Sequence, residues 1–248
     1  MLHATKGIVF HSVKYSETSV VARIYTEVLG MQSFLIRGIH SPKSKMRPAL
    51  FQPMTLLDLV VYHHEKQVMQ SVREVHLAHP YQTIPFDIRK SSVMIFINEL
   101  VYKVIREEEP NADLFHYLWN NCLLLDETEA NVSSFHLHVA LQLMHHLGIF
   151  PNNNYSRGHQ VFNMREGLFQ HAIPGHQHYL DPVNSLLFHN LLSHFNADLK
   201  AGNVTGDSFH LTPAVRDQLL ETLLVYYRLH LPGFGGMQSH HILHDVLG

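Results

Sequence analysis

The spacing of apolar residues changes once along this chain, between Pro80 and Pro85, from a repeat of about two to a repeat of about 3.6. A chain with that change must join a β-rich first part to a helical second part. Before it, β-branched and aromatic residues fall into five short runs: Thr5 to Val13, Val20 to Thr26, Gln32 to Gly38, Thr55 to Tyr62 and Val68 to Leu77. Closing these five strands into a barrel removes the edges that an open sheet would expose. The five-stranded OB-fold is the common solution at this size, with an SH3-like barrel as the structural alternative. After the change, Val93, Phe96, Ile97, Leu100, Val101 and Val104 form one helical stripe. Further helices are predicted at Asp113 to Leu125, Ser134 to Leu147, Pro182 to Phe195, Thr212 to His230 and Gln238 to Leu247. Thr212 and Pro213 supply an N-cap and a first helical residue, and Pro232-Gly233 stops that helix. Residues 149–181 carry turn signals and little periodicity, and read as an irregular insert. The expectation is an α+β protein with an OB-fold domain over residues 1–80 and a helical domain over 81–248.

Of the 248 residues, 46% are apolar and 16% charged, enough to bury a core and too little charge for a disordered or collagen-like chain. The single cysteine, Cys122, excludes an internal disulfide framework and a four-cysteine zinc site, and fits a reducing, cytoplasmic setting. The opening Met1 to Gly7 shows no secretory pattern, and no stretch of about 18 apolar residues follows, so no membrane association is expected. Residues 1–80 hold nine lysines and arginines against five acids, whereas residues 81–248 hold nine against sixteen. A net +4 region joined to a net −7 region suggests an anionic partner for the first domain alone.

Most enzyme chemistries lack their residues here. There is no phosphate-binding P-loop, no G-x-S-x-G elbow, no H-E-x-x-H and no calcium loop. Gly233-Phe234-Gly235-Gly236 follows a helix, where a dinucleotide loop would follow a strand, and so reads as a helix end and turn. Cys122 lies in an apolar run with Trp119 and Leu123, which suppresses the reactive thiolate. The 23 histidines invite a metal, above all His171, His176 and His178, or His240 and His244 one helical turn apart. No cysteine or carboxylate stands at a matching spacing, so no metal and no cofactor are expected, and no catalytic residues are assigned.

The positive signal lies in the barrel. Alternation along the second strand puts Val20, Ala22 and Ile24 on one face and Val21, Arg23 and Tyr25 on the other, taken as the exposed one. The connection after the third strand supplies Arg37, Lys43, Lys45 and Arg47 with Ser41 and Ser44, four cations and two hydroxyls in eleven residues without an acid. Cations on a loop neutralise phosphates and release counterions, and an aromatic such as Tyr25 can stack on unpaired bases. Arg23, Tyr25, Arg37, Lys43, Lys45 and Arg47 are therefore the candidate DNA-binding residues.

Four segments then resemble the RecO family of bacterial recombination mediators: TKGIVFHSV from Thr5, YSETSVVARIYT from Tyr15, IRGIHSPKSKMRPALFQ from Ile36 and YYRLHLPGFGGMQSHHIL from Tyr226. An Asn98-Glu99-Leu100 helix segment lies between them, so the resemblance spans nearly the whole chain. It implies an OB-fold followed by a helical domain and no catalytic turnover. It also implies binding of single- and double-stranded DNA, annealing of complementary strands, and action on DNA coated by single-strand-binding protein. RecR and the recombinase RecA, which RecO helps to load, would be partners, and the setting would be cytoplasmic and nucleoid-associated. By position, Arg37, Lys43, Lys45 and Arg47 match the family's basic loop. Many relatives carry two cysteine pairs forming a zinc ribbon where this chain has residues 149–181 and none of those cysteines. The zinc is not carried over, and packing is expected to hold the insert. The competing readings are a non-enzymatic adaptor whose barrel binds protein and, further off, a metal-dependent hydrolase.

Overall fold

The computed structural model describes residues 1–39, 46–105, 109–201 and 211–248. Five strands, β1 (Leu2–Lys14), β2 (Ser19–Thr26), β3 (Gly30–Arg37), β4 (Leu56–Tyr62) and β5 (Gln70–Leu77), close into the expected OB-like barrel in the order β1-β2-β3-β5-β4. Strand β1 pairs antiparallel with β2 along one edge and with β4 along the other. Closure between β3 and β5 is parallel and short, joining Phe34 and Leu35 to Gln70 and Ser71. Ala22, Ile24, Phe34, Ile36, Leu57 and Leu59 fill the interior in the period-two pattern that strands with one apolar face require. Gly7 lies where β1 crosses the packed centre, and a Cβ there would stand 2.7 Å from side-chain atoms of both Ile24 and Leu59. A side chain at that point would force Ile24 and Leu59 to shift within the packed barrel.

Alternation fails in β1, and the failure has a structural cause. Ile8, Val9 and Phe10 are all buried, and a register shift between Val9 and His11 marks a β-bulge. One face of this run fills the barrel, and the other is covered from outside by helix α2 (Ala112–Glu127). There Phe10 stacks on Tyr25 with ring centroids 5.7 Å apart, Phe115 follows at 5.9 Å from Tyr25, and Lys6 stands 4.9 Å over the Trp119 ring. The segment after β5 is tied to the end of α2 by one carboxylate. Asp126 accepts backbone N–H groups from Gln82 at 2.9 Å, Thr83 at 2.9 Å and Ile84 at 3.0 Å, with His79 Nε2 at 3.1 Å. Burial alone would raise its pKa, but these hydrogen bonds outweigh burial and hold it down to about 2. Cys122 is buried on the same helix, and desolvation pushes its thiol up to about 12, the inert thiol that its apolar surroundings predict.

Helix α1 (Ile88–Val104) is divided by packing. Residues 1–87 form one compact unit with 98–127, and residues 88–97 form another with 128–248. The break in periodicity near residue 80 marks where strands give way to helices. The unit built around the barrel is larger, because α2 supplies its outer layer.

In the second unit, α3 (Phe135–His146) is buried on nearly every side, the pattern of a central helix. Tyr227 of α5 (Pro213–His230) donates a hydrogen bond of 2.6 Å to the Ala140 carbonyl and stacks on Phe234 at 5.3 Å. Thr212 caps α5 by accepting from Val215 N–H. The turn containing Phe234 therefore anchors the end of α5, consistent with its reading as a helix end. Helix α6 (Ser239–Leu247) is tied to α5 by His240 with Glu221 at 3.3 Å, by His244 with Asp217 at 2.6 Å, and by the Arg216 guanidinium donating to the Leu247 carbonyl. Helix α4 (Pro182–Ala201) begins at Asp181, whose side chain accepts from Val183 N–H and Asn184 N–H at 2.9 Å.

The insert is more regular than its sequence indicates. Residues 149–181 contain a three-stranded sheet of β6 (Val161–Asn163), β7 (Leu168–Gln170) and β8 (Tyr179–Leu180) in the order β7-β6-β8. Strands of two or three residues are too short to show a period, which is why they read as loop. Phe162 holds this sheet down, with Phe188 at 4.7 Å and Phe169 at 4.9 Å, and its backbone N–H bonds the buried Ser185 hydroxyl at 2.9 Å. Gly167 takes a positive φ, and a side chain there would meet the Tyr226 hydroxyl.

Burial of α3 carries a pH dependence. Desolvation lowers the pKa of His136 to about 3, with the Arg216 charge adding to it, and that of His138 to about 4, where Asp198 and Gln142 offset a smaller part. Both folded values lie below the unfolded value of about 6.5. Stability is therefore full above that pH and falls as pH drops toward 4 and then 3, by roughly a tenfold change in the folding equilibrium per pH unit for each histidine. Denaturant unfolding at pH 7.5 and pH 5 should show a drop in midpoint that is smaller in His136→Gln and in His138→Gln.

Candidate nucleic-acid interface

The residues expected to contact DNA divide into three groups in the structure. Arg37 is exposed at the last position of β3, opposite Ser19 of β2. Arg47 is exposed just ahead of a single 3-10 turn, Pro48–Phe51, whose Phe51 enters the barrel core. Both guanidinium groups are available to an anion approaching this end of the barrel. Lys43 and Lys45 lie outside the described residues.

Arg23 is half-buried on the outer face of β2, and its guanidinium carbon stands 5.4 Å over the Tyr102 ring of α1. The same ring lies 5.1 Å from that of His11, the residue paired with Arg23 across the ladder. A cation held against an aromatic face loses little freedom on meeting a phosphate. Arg23 is the pre-positioned member of the set.

Tyr25 does not belong to an open surface, which corrects its assignment as a base-stacking residue. It is 1% exposed, enclosed by Phe10 and Phe115, and its hydroxyl donates to the Asn111 carbonyl at 3.3 Å. Alternation along β2 separates the barrel interior from the outside correctly, but the outside at this position is roofed by α2. The sequence did carry a signal: three apolar residues in a row, Ile8-Val9-Phe10, on the neighbouring strand point to burial on both faces.

The structure adds residues that the sequence reading passed over. Between β3 and the β4–β5 connection is a cleft of about 200 Å³ lined by Arg23, Met31, Gln32, Ser33, Glu65, Lys66, Gln67 and Val68. It arises because β3 and β5 pair only at Phe34 and Leu35, leaving the start of β3 apart from β5. The connection on its far side is pinned from within by Gln70. That buried side chain accepts from His64 N–H at 2.9 Å and donates to the carbonyls of His64 at 3.1 Å and Gln67 at 2.7 Å. Lys66 and Gln67 project from this braced turn and are exposed. In an OB-type barrel the second and third strands and the connection between the fourth and fifth are the oligonucleotide-binding elements, and this cleft lies among all three.

Some of the histidines considered for metal have protein partners. His240 and His244 are occupied by the α5 carboxylates described above. His176 accepts the His178 backbone N–H on Nδ1 at 3.2 Å. Among the described residues no group of three or more His, Cys, Asp or Glu is placed to hold a metal ion. Among those residues, too, no helix is long and apolar enough to cross a membrane.

Comparison with known proteins assigns both parts of the chain. The family model described as Recombination protein O N terminal matches residues 1–81, and that described as Recombination protein O C terminal matches residues 85–235. A DNA repair protein RecO of Phocaeicola vulgatus is 32% identical over 246 residues, covering 99% of both chains. One of Flavobacterium psychrophilum is 34% identical over 245 residues, covering 98% of both, and one of Bacteroides fragilis is 31% identical over 247 residues, covering 99% of both.

Two outcomes follow from this geometry. Tyr25→Ala should lower stability by about 3–5 kcal/mol, as loss of a fully buried aromatic does, whereas Tyr25→Phe should stay within about 1 kcal/mol. Denaturant titration measures both, and DNA affinity of Tyr25→Phe should equal that of the unmodified chain. Purified protein should contain no stoichiometric zinc by elemental analysis, and a chelator should leave its melting temperature unchanged, because aromatic packing and Ser185 hold the insert.

Proposed function

The chain belongs to the RecO family, and on that footing we propose that it is a DNA repair protein that binds single- and double-stranded DNA, anneals complementary strands and helps to load RecA. It acts without catalytic turnover, on DNA coated by single-strand-binding protein and together with RecR, in the cytoplasm at the nucleoid. The observation that carries this reading is the closed barrel whose β2–β3 side bears Arg23 and Arg37 and leads into the connection containing Lys43, Lys45 and Arg47. Cations concentrated on one barrel, in a chain whose remaining residues are net acidic, favour approach of a polyanion barrel-first. Each phosphate neutralised there releases counterions. Cations shared between two strands also lower the repulsion that opposes pairing, which is the physical requirement for annealing.

Alanine at Arg37, Lys43, Lys45 and Arg47 together should weaken binding to every DNA sequence and flatten the dependence of log affinity on log salt by roughly 0.7 to 0.9 per lost contact. Annealing of strands coated by single-strand-binding protein should fall in parallel. Unchanged affinity and slope would instead favour a barrel that serves as a protein-binding adaptor, since an apolar interface is insensitive to salt.

A further inference from the structure

We propose that α6 is a pH-set latch on α5, in which the His244–Asp217 pair tightens as the imidazole takes up a proton and loosens as it gives one up. Helix α6 has little apolar hold of its own. Ser239 and Leu243 are its buried residues, Ile242 is exposed, and His240, His241, His244 and Asp245 give it four ionisable side chains. Helix α5, by contrast, buries four leucines and two tyrosines. An element attached so lightly opens locally at a lower free energy than the core beside it.

The polar ties between the two helices are matched in spacing. His240 and His244 stand four residues apart on α6, and Asp217 and Glu221 stand four apart on α5. The pairs run in opposite order, His240 with Glu221 at 3.3 Å and His244 with Asp217 at 2.6 Å. Residues four apart lie on one helical face, so two carboxylates meet two imidazoles as the rungs of a ladder. Beyond the second rung, the buried Arg216 guanidinium donates to the Leu247 carbonyl at the end of α6. Lifting α6 therefore also takes an acceptor away from a buried cation.

Carboxylates are ionised throughout the interval from pH 6 to pH 8 in which imidazole gains or loses its charge. The two rungs answer that interval differently. His240 Nδ1 is buried without a hydrogen-bond partner, and the His241 ring lies 3.9 Å from that of His240. A proton on that nitrogen would have no acceptor and a charged His241 would repel it, which leaves the switch to the other rung. His244 is exposed to solvent, and its Nδ1 already stands at hydrogen-bond distance from Asp217. A second proton on its ring makes that contact a charge-assisted pair. Arg216 stays protonated over the same interval, and His136 of α3, beside it, is kept neutral by burial, so both are constant. Falling pH thus weakens α3 through His136 and His138 but strengthens the hold on α6.

The test is hydrogen–deuterium exchange of the full chain, with protection corrected for the intrinsic pH dependence of amide exchange. One exposed ion pair shifts an equilibrium by up to about fivefold, so α6 amides should be about three- to fivefold better protected at pH 6 than at pH 8. Amides of α5 should gain nothing over that range. Roughly 1 M salt, which screens exposed charges, should shrink the difference. His244→Gln keeps a side-chain donor without the charge and should abolish the difference, as should Asp217→Asn, whereas His241→Gln should preserve it. Equal protection of α6 at both pH values, a gain shared by α5, or a difference that survives in His244→Gln would overturn the latch. Because His244 is exposed, its glutamine variant leaves the core intact and decides the matter by itself. The outcome is independent of whether the barrel binds DNA.

Discussion

Strand β1 serves three surfaces at once, and the rest of the first unit depends on it. One edge pairs with β2, the other with β4, and alternation turns Phe10 outward against Tyr25 while Val9 stays in the barrel core. No other strand closes the β2 and β4 sides of the sheet together, so loss of its register opens the barrel. Gly7 sets the tolerance of this arrangement, because Ile24 and Leu59 already occupy the space a side chain would need. Two-sided burial of β1 then explains why α2 belongs with the barrel: Phe115 and Trp119 cover apolar surface that β1 and β2 expose on their outer side. Asp126, at the far end of α2, secures the chain as it leaves β5.

The covering helix also decides which part of the barrel's outer face stays open. It occupies the outer face at Tyr25, while Arg23 two residues earlier leans on Tyr102 and borders the cleft. The open side is defined by Arg37 and Arg47 at one end and by Lys66 and Gln67 at the other, with β2 and β3 between. The weakest seam of the barrel, the two-residue pairing of β3 with β5, is what makes room for the cleft. A barrel closed by longer pairing would be more fully bonded and would have no such recess.

In the second unit, polar side chains and aromatic packing tie the small sheet together. Asn154 bonds both the N–H and the carbonyl of Phe169, Ser185 bridges Phe162 and Leu180, and the aromatic ring of Phe162 is packed on Phe188. These contacts give the small sheet a set of internal ties without thiolates. The cost of a histidine-rich core appears in α3, where His136 and His138 are kept neutral by burial.

Period and chain punctuation determined much of this protein by themselves. Alternation placed Ala22, Ile24, Phe34 and Ile36 inside a barrel, the stripe from Val93 to Val101 predicted the buried face of α1, and Thr212-Pro213 marked the start of α5. The family was also legible, because its motifs are local runs in a set order. Tertiary structure alone decided what lies over the strands. Tyr25 and Arg23 share a face by alternation, yet one is sealed under α2, some 90 residues away in the chain, and the other borders a cleft. Lys66 and Gln67 were invisible as site residues for the same reason: a turn acquires a facing wall only when β5 leaves the start of β3 unpaired. Periodicity records which side of a strand avoids water, whereas contacts between distant segments determine which of the remaining groups stay accessible.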